Sequence, residues 1–298
     1  MGFSVIIVDY KSIEKTIEYI EQCNICLKHR DNIKYIIVDN DDTLSGLDMI
    51  KNKNACKRIS IIDKMDVLEF KHNGITIEYA ATGENMGYAK GNNLGASISY
   101  KLYPENHFLF SNNDLAFPCE YSLDEIENYL ESGYAIVAPD IVSRESHLNP
   151  IKIETLNYLL YWQYVPFLSR ILKRKESETT FSGCFWFFEK EMFNRIGGFD
   201  EGTFLYFEEY IMAEKIKRNS YKAIYYPEMR VVHNHNYMAL PADKAIWYRK
   251  VFFESGLYYE KKYKNISKFN QIIKKILFEI TIHFLFIPAR KMYSFVNS

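Results

Sequence analysis

Asp39, the run Asn112-Asn113-Asp114, the pair Glu208-Glu209 and His233 are the residues of this 298-residue chain whose types could do chemistry together. Taken singly, each has an ordinary reading. Asp39 could cap a helix, and Asn112-Asn113 could make a turn. The set carries more weight than its members, because the groups follow apolar runs such as Tyr35-Ile-Ile-Val38, Phe108-Leu-Phe110 and Val231-Val232. Ligands of open α/β sheets bind beyond the carboxyl ends of the strands. A carboxylate and an imidazole can hold a divalent cation that offsets the charge of a departing diphosphate. A second carboxylate, not a ligand, can take the proton of an attacking hydroxyl. Asp114 and His233 suit the first task, and Glu208 or Glu209 the second. The chemistry that needs both is displacement of a nucleoside diphosphate.

The elements that must position these residues alternate strand and helix. Phe3–Val8 and Lys34–Val38 read as buried strands, with a helical stripe of Ile13, Ile17, Ile20 and Leu27 between them. Ser12 stands where that helix begins, with Lys15 at the position a capping box would fill with an acid. Ile75–Ala80, Phe108–Phe110, Ala135–Ala138, Phe181–Phe188, Ala223–Tyr226 and Arg230–Val232 read as further strands. Tyr88–Tyr100, Leu123–Leu130, Glu189–Ile196 and Glu208–Arg218 read as helices, the third closed by Gly197-Gly198. The expected fold is α/β, an open and mostly parallel sheet flanked by helices, over residues 1–238. Residues 141–180 interrupt the alternation with Tyr158, Tyr161, Trp162, Tyr164, Phe167 and the basic run Arg170–Lys175. Such an insertion suits an acceptor-binding region or a packed subdomain. From Ala242 the pattern is helical, giving a C-terminal extension over 239–298.

Composition excludes some partners. The formal net charge is −1, so no overall field attracts nucleic acid. The five cysteines are odd in number and scattered, which argues against a disulfide framework and for a reducing cytoplasm. Cys23-x-x-Cys26 has the spacing of a redox or zinc half-site, but it falls in a helical stripe and no second pair follows. No secretory signal is expected, since the apolar run ends at Asp9, and no stretch is long enough to span a membrane. The 24 tyrosines and 21 phenylalanines are read first as core, and second as platforms for sugar rings.

Ordered motifs then give a resemblance. Val5-Ile-Ile-Val-Asp-Tyr10, Ile36-Ile-Val-Asp-Asn40, Glu84-Asn-Met-Gly-Tyr-Ala-Lys-Gly-Asn-Asn93, Phe110-Ser-Asn-Asn-Asp114, Ser182-Gly-Cys184, Ile196-Gly-Gly-Phe-Asp-Glu201 with Phe204-Leu-Tyr-Phe-Glu-Glu209, and Val231-Val-His233 follow one another in the chain. In this order they resemble the family 2 glycosyltransferases of the GT-A fold, in the branch called rhamnosyltransferase-like. The resemblance implies an inverting transfer of a hexosyl or deoxyhexosyl group from a nucleoside-diphosphate sugar to a hydroxyl of a glycan or lipid-linked acceptor. The implied setting is bacterial surface polysaccharide, such as capsule. It implies that Val8, Asp9, Tyr10, Asp39, Asn85, Lys90, Gly91, Asn92, Asn112 and Asn113 line the donor cleft, with Asp39 on the nucleobase and the glycines admitting the phosphates. It implies Asp114 and His233 as ligands of Mg²⁺ or Mn²⁺, with His235 two positions on. Glu209 is the implied base, with Glu208 orienting it, and Ser182, Gly183 and Trp186 lie on the acceptor side. Where the family has Asp-x-Asp this chain has Asn112-Asn-Asp114, and its acidic motif reads Glu-Glu-Tyr-Ile.

Two other readings compete. A nucleotidyltransferase wants a glycine-rich phosphate loop after the first strand, and Asp9-Tyr-Lys-Ser12 has no glycine. A silent nucleotide-sugar or glycan-binding module is compatible with the amide at Asn112. In the tail, Ile272, Ile273, Ile276, Leu277, Ile280, Phe284 and Ile287 form a helical stripe, with Lys274, Lys275, Arg290 and Lys291 beside it. That stripe suits packing on the catalytic domain, a second subunit, or the inner face of the plasma membrane.

Overall fold

The computed structural model describes residues 1–29, 33–62, 64–143, 146–154, 176–233 and 241–286. The aromatic and basic run from Tyr158 to Lys175, His235 and the stretch Ile287–Lys291 lie outside these residues. The chain forms two compact units. The first comprises Met1–Pro150, Phe181–Glu201 and Lys215–His235, and the second Ile151–Thr180, Gly202–Glu214 and Asn236–Ser298. The second unit thus takes two internal segments as well as the C-terminal helices, where the sequence suggested a single division near residue 238.

In chain order the elements are β1 (Phe3–Asp9), α1 (Ile13–Cys26), β2 (Leu27–Lys28), β3 (Lys34–Asp39), α2 (Ser45–Lys53), β4 (Lys57–Ile62), β5 (Met65–His72), β6 (Ile75–Ala81) and α3 (Gly87–Leu102). There follow β7 (His107–Ser111), β8 (Leu115–Ala116), β9 (Tyr121–Ser122), α4 (Asp124–Glu131), β10 (Tyr134–Ser143), β11 (Ser146–His147), β12 (Ile151–Glu154) and β13 (Glu176–Thr180). The chain continues through β14 (Phe185–Phe188), α5 (Lys190–Arg195), α6 (Glu208–Arg218), β15 (Lys222–His233), α7 (Ala242–Tyr263) and α8 (Lys268–Thr281), ending in a π-helical turn Ile282–Phe286.

The first unit is built on one mixed sheet of strand order β4-β5-β6-β3-β1-β7-β14-β10-β15-β8, with β11 beside β10. At its centre β6, β3, β1 and β7 run parallel. Because β3 and β7 flank β1, the chain reverses its winding there, and a crevice opens at the carboxyl ends of these strands. Asp9 and Asp39 sit side by side in register at that end. The apolar runs of β1 and β3 are buried on both faces, as strands covered by helices on each side must be. One face packs on Tyr19, Ile20 and Cys23 of α1 and on Ile126 and Leu130 of α4. The other meets α3 so closely that a Cβ on Gly95 would lie 2.3 Å from Ile6 Cγ2.

One large group of aromatics is core. Phe108, Phe110, Trp186, Phe188, Phe193 and Phe199 stack edge-on and tilted against one another, with Phe110 and Phe199 centroids 4.9 Å apart at 79°. Cys23 also faces the core, and burial pushes its thiol up to about 12, so it is a packing residue rather than a reactive one.

Several elements differ from expectation. The hairpin β4–β5 and helix α2 fill a stretch with little legible pattern. Strand β14 begins only at Phe185, since a turn at Gly183 and Cys184 precedes it. The two expected strands at 223–226 and 230–232 are one strand, β15, whose register jumps between Tyr226 and Arg230. Pro227 lies in that jump and has no N–H to give the ladder, so the extra residues bulge out.

Glu78 on β6 is wholly buried, and its Oε1 accepts from the Tyr103 hydroxyl. Burial pushes its carboxyl up from 4.5 to about 7, against the opposing pull of Tyr103. A carboxyl raised in the folded state favours folding while both states are protonated. That contribution falls as pH rises from 4.5 to 7 and is flat above. The size is about 3 kcal/mol at most. Urea unfolding of Glu78→Gln across this range should show the variant losing less stability than the parent, by about 2–3 kcal/mol. Parallel curves would contradict the assignment.

Candidate functional site

A cavity of about 430 Å³ opens at the carboxyl ends of β1 and β3, and Asp9, Lys11, Ser12, Asp39, Asp41, Ser45 and Gly46 are among the residues that line it. The two expected aspartates, Asp9 and Asp39, are each 1% exposed. Asp39 accepts from the Tyr79 hydroxyl through Oδ2 and from the Asp41 N–H at 2.9 Å through Oδ1. Burial raises its carboxyl above the usual range, and these two bonds oppose the rise. Gly46 leaves room for it, since a Cβ there would fall 2.2 Å from Asp39 Oδ2.

Asp41, Ser45, Gly46 and Tyr79 were not singled out by sequence. Asp41 accepts from Thr43 N and Oγ1 and from Ser45 N and Oγ, which ties the turn after β3 to the start of α2. Burial works to raise its carboxyl, but these hydrogen bonds outweigh it and hold the group well below the carboxylate range. The spacing Asp41-x-Thr-x-Ser45 is a local signature of such a turn. Tyr79 comes from β6 and carries no local signal.

Asp9 is held by many partners. Its Oδ2 accepts from Ser12 N at 3.0 Å, and its Oδ1 from Ser12 Oγ at 2.7 Å, from Thr16 Oγ1 and from Asn113 Nδ2 at 3.2 Å. Asn113 also donates to Ser12 Oγ at 2.9 Å and Thr16 Oγ1 at 2.6 Å. Expected to face the donor, Asn113 instead spends its amide pinning the end of β7 to the start of α1. Ser12 does precede α1, but its hydroxyl serves Asp9 and makes no helix-capping bond.

Tyr10, Asn85, Lys90, Gly91 and Asn92 are not on the cavity wall. Tyr10 and Lys90 are exposed. Asn85 Oδ1 accepts from Gly87 N at 3.1 Å, opening α3, and buried Asn92 donates to Tyr88 O at 3.0 Å. Gly91 faces Val8, whose methyl carbons would lie 2.9 Å from an added Cβ, so here the glycine lets helix approach strand. Neighbouring Asn93, not predicted, clamps Phe199 with two bonds, to its carbonyl at 3.0 Å and from its N–H at 2.9 Å.

Asp114 and His233 meet. His233 ends β15 opposite Leu115 of β8, and this pairing brings its Nε2 3.2 Å from Asp114 Oδ2. Their side chains are 19% and 12% exposed, reachable from solvent but held. A carboxylate oxygen and an imidazole nitrogen at this separation fit two positions of a divalent cation, with phosphate oxygens and water able to supply the rest. Among the described residues no group of three or more His, Cys, Asp or Glu converges in this way. Asn112, which replaces the first carboxylate of the expected motif, bonds through its N–H to Cys184 O at 2.8 Å.

Glu208 and Glu209 open α6, in the segment belonging to the second unit. A helix N-terminus favours carboxylates. The turn before them is strained, for Tyr206 and Phe207 both have positive φ, 72° and 70°. Phe207 is locked among Tyr210, Phe252 and Tyr259, and Ser255 Oγ donates to Leu205 O at 2.7 Å. Gly256 of α7 lies against the Phe207 ring, 2.8 Å from an added Cβ. Thr180 Oγ1 donates to Glu209 O at 2.9 Å. The Glu208 carboxyl is enclosed, and burial, then the charge of Glu209, raises it well above the usual range. Of the pair, Glu208 is the one whose burial favours the neutral carboxyl.

On the expected acceptor side, Ser182 N donates to Asn149 Oδ1 at 2.7 Å, and Gly183 O accepts from Tyr88 OH at 2.6 Å. Trp186 is fully buried and stacked on Phe199 at 6.0 Å, so its ring is a core element and offers no face to an acceptor.

The chain's fold is shared by solved glycosyltransferases. It is similar to the mannosyltransferase PcManGT of Pyrobaculum calidifontis, solved with GDP-Man and Mn²⁺, at TM-score 0.53 and 16% identity, covering 99% of this chain and 75% of that one. It is also similar to GalNAc-T7, solved with UDP, GalNAc and Mn²⁺, at TM-score 0.54 and 13% identity, covering 96% of this chain and 58% of that one. At these identities the likeness is one of fold. A comparison with curated protein sequences gives no match. Residues 4–197, well over half of the chain, match the family described as Glycosyl transferase family 2. This chain belongs to glycosyl transferase family 2.

Proposed function

We propose that the protein transfers a sugar from a nucleoside-diphosphate sugar to an acceptor hydroxyl, with inversion at the anomeric carbon. The observation that carries this reading is the meeting of Asp114 and His233, 119 residues apart, on the sheet whose Asp9 and Asp39 line the cavity. In this reading the cavity takes the nucleoside. Asp39, poised between Tyr79 and the Asp41 N–H, accepts from the nucleobase. Lys11, bonded to Asp42 at 2.7 Å, bridges the loops after β1 and β3 at the cavity. Asn85, Lys90, Asn92 and Asn112 are proposed for the rest of the donor by resemblance.

Asp114 and His233 would hold Mg²⁺ or Mn²⁺, which when bound supplies positive charge against the leaving diphosphate. Glu209 takes the proton as the acceptor oxygen bonds to the anomeric carbon and the bond to the diphosphate breaks. Glu208, whose burial favours its neutral form, can orient Glu209 or an acceptor hydroxyl. Ser182 and Gly183 are proposed for the acceptor side. The proposed acceptor is a glycan or lipid-linked sugar of bacterial surface polysaccharide, handled in the cytoplasm.

Calorimetric titration with UDP-, dTDP- and GDP-sugars, with Mn²⁺ and with chelator, tests this reading. It predicts one preferred donor, bound more tightly with the cation. No binding across the panel would overturn it. Gly46→Ala adds a test at the cavity. Alanine would ordinarily favour α2 by about 1 kcal/mol. Here its Cβ displaces the Asp39 carboxylate, so donor affinity should fall about tenfold or more, as the loss of one charged hydrogen bond would cause. Unchanged affinity would remove Asp39 from the donor site.

A further inference from the structure

Helix α8 carries two apolar faces. One packs on α7: Phe278 stacks on Phe253 with centroids 4.0 Å apart at 11°, Ile282 is fully buried, and Lys274 pairs with Glu260. The opposite face is bare. Phe269, Ile272, Ile276 and Ile280 run along it, with Ile273, Leu277 and Phe284 on its border, and all are exposed, Phe269 by 70% and Phe284 by 75%. At 100° per residue these positions span about 140° of the helix. Exposed Lys268, Lys275 and His283 edge this face on one side, with Glu279 the acid among them.

Charge selects the partner. Residues 261–298 contain eight Lys and Arg against the single acid Glu279, in a chain whose formal net charge is −1. The preceding residues are therefore acidic in balance, and Lys268 and Lys275 stand exposed beside this apolar face. Among the described residues no helix is long and apolar enough to cross a membrane. A broad apolar face edged with lysines is the pattern of a helix that lies in a bilayer surface, with side chains in the acyl boundary and ammonium groups among anionic headgroups. A second copy of this chain would bring the same basic charge to the interface, which works against self-pairing.

The geometry points to α8 as an interfacial helix that docks the protein on an anionic lipid bilayer. This does not depend on which sugar is transferred, or on transfer at all.

Sedimentation of the full chain with vesicles of phosphatidylcholine alone, and with added phosphatidylglycerol, tests it. The protein should pellet with the anionic vesicles, and high salt should weaken the binding. Ile272→Glu/Ile276→Glu should cut partitioning by about tenfold per isoleucine, as expected for lost burial of one such side chain. Both sites are exposed, so the unfolding transition should not move. Lys268→Glu/Lys275→Glu is the second variant; it should reduce binding to anionic vesicles and leave donor binding unchanged. Recovery of the parent protein in the soluble fraction with anionic vesicles would overturn the proposal. So would equal pelleting of parent and variants. A stable dimer by sedimentation equilibrium, dissociated by the isoleucine variant, would assign the face to a second copy and also overturn it.

Discussion

Glu209→Gln is expected to lower kcat by about a thousandfold while leaving donor affinity within twofold, because general-base catalysis contributes 10²–10⁴ in rate. The amide keeps the size and hydrogen-bonding reach of the carboxylate but cannot take a proton. The fold should tolerate the change. Thr180 bonds the Glu209 backbone carbonyl rather than its side chain, and the turn before α6 is held by Phe207 and Ser255. Glu208→Gln should cost much less. Glu208 is enclosed, and burial and its neighbour's charge favour its neutral form, whose place glutamine can take. Steady-state rates of nucleoside diphosphate release measure both. An unchanged rate in Glu209→Gln would refute the base assignment. A larger loss in Glu208→Gln would transfer the role to it.

Asp114→Asn is expected to reduce kcat/KM by about a thousandfold, since charge stabilisation of this kind is worth several kcal/mol. The loss should appear in cation-dependent donor binding as well as in turnover. His233→Ala should weaken the same binding, because the pair lies within 3.2 Å. Donor binding in chelator should be the same in parent and variants, since the cavity around Asp39 is untouched. The chain already lacks a carboxylate at Asn112, so Asp114 is the acid left in this motif. Cation dependence that survives Asp114→Asn would place the metal elsewhere.

The parallel centre of the sheet was legible because its strands are continuous apolar runs. Ile36-Ile-Val38 and Phe108-Leu-Phe110 are buried on both faces, which excludes polar residues and leaves a clear signal. The edge hairpin β4–β5 gave none. Edge strands carry charge, and Lys57, Arg58, Asp66 and Glu69 fit that position while masking the pattern. Strand β15 was split by Pro227, which interrupts the ladder without ending the strand.

At the candidate site, residue types were legible and partners were not. Asp9, Asp39, Asp114 and His233 stand out as acids and imidazole at strand ends. That Asn113 serves Asp9, or that Tyr79 from another strand holds Asp39, depends on contacts 40 to 104 residues apart in sequence. Gly91 and Trp186 show the converse. Gly91 lies in a specific motif and Trp186 just after one, yet their environments are Val8 and Phe199, so the sequence there records packing as much as chemistry.

The most direct test of the account is the anomeric configuration of the product. A single displacement with one base, Glu209, inverts the attacked carbon. Proton NMR of the product formed from the preferred donor, read through the anomeric coupling before any equilibration, should show the configuration opposite to the donor's. A product of retained configuration would contradict the mechanism.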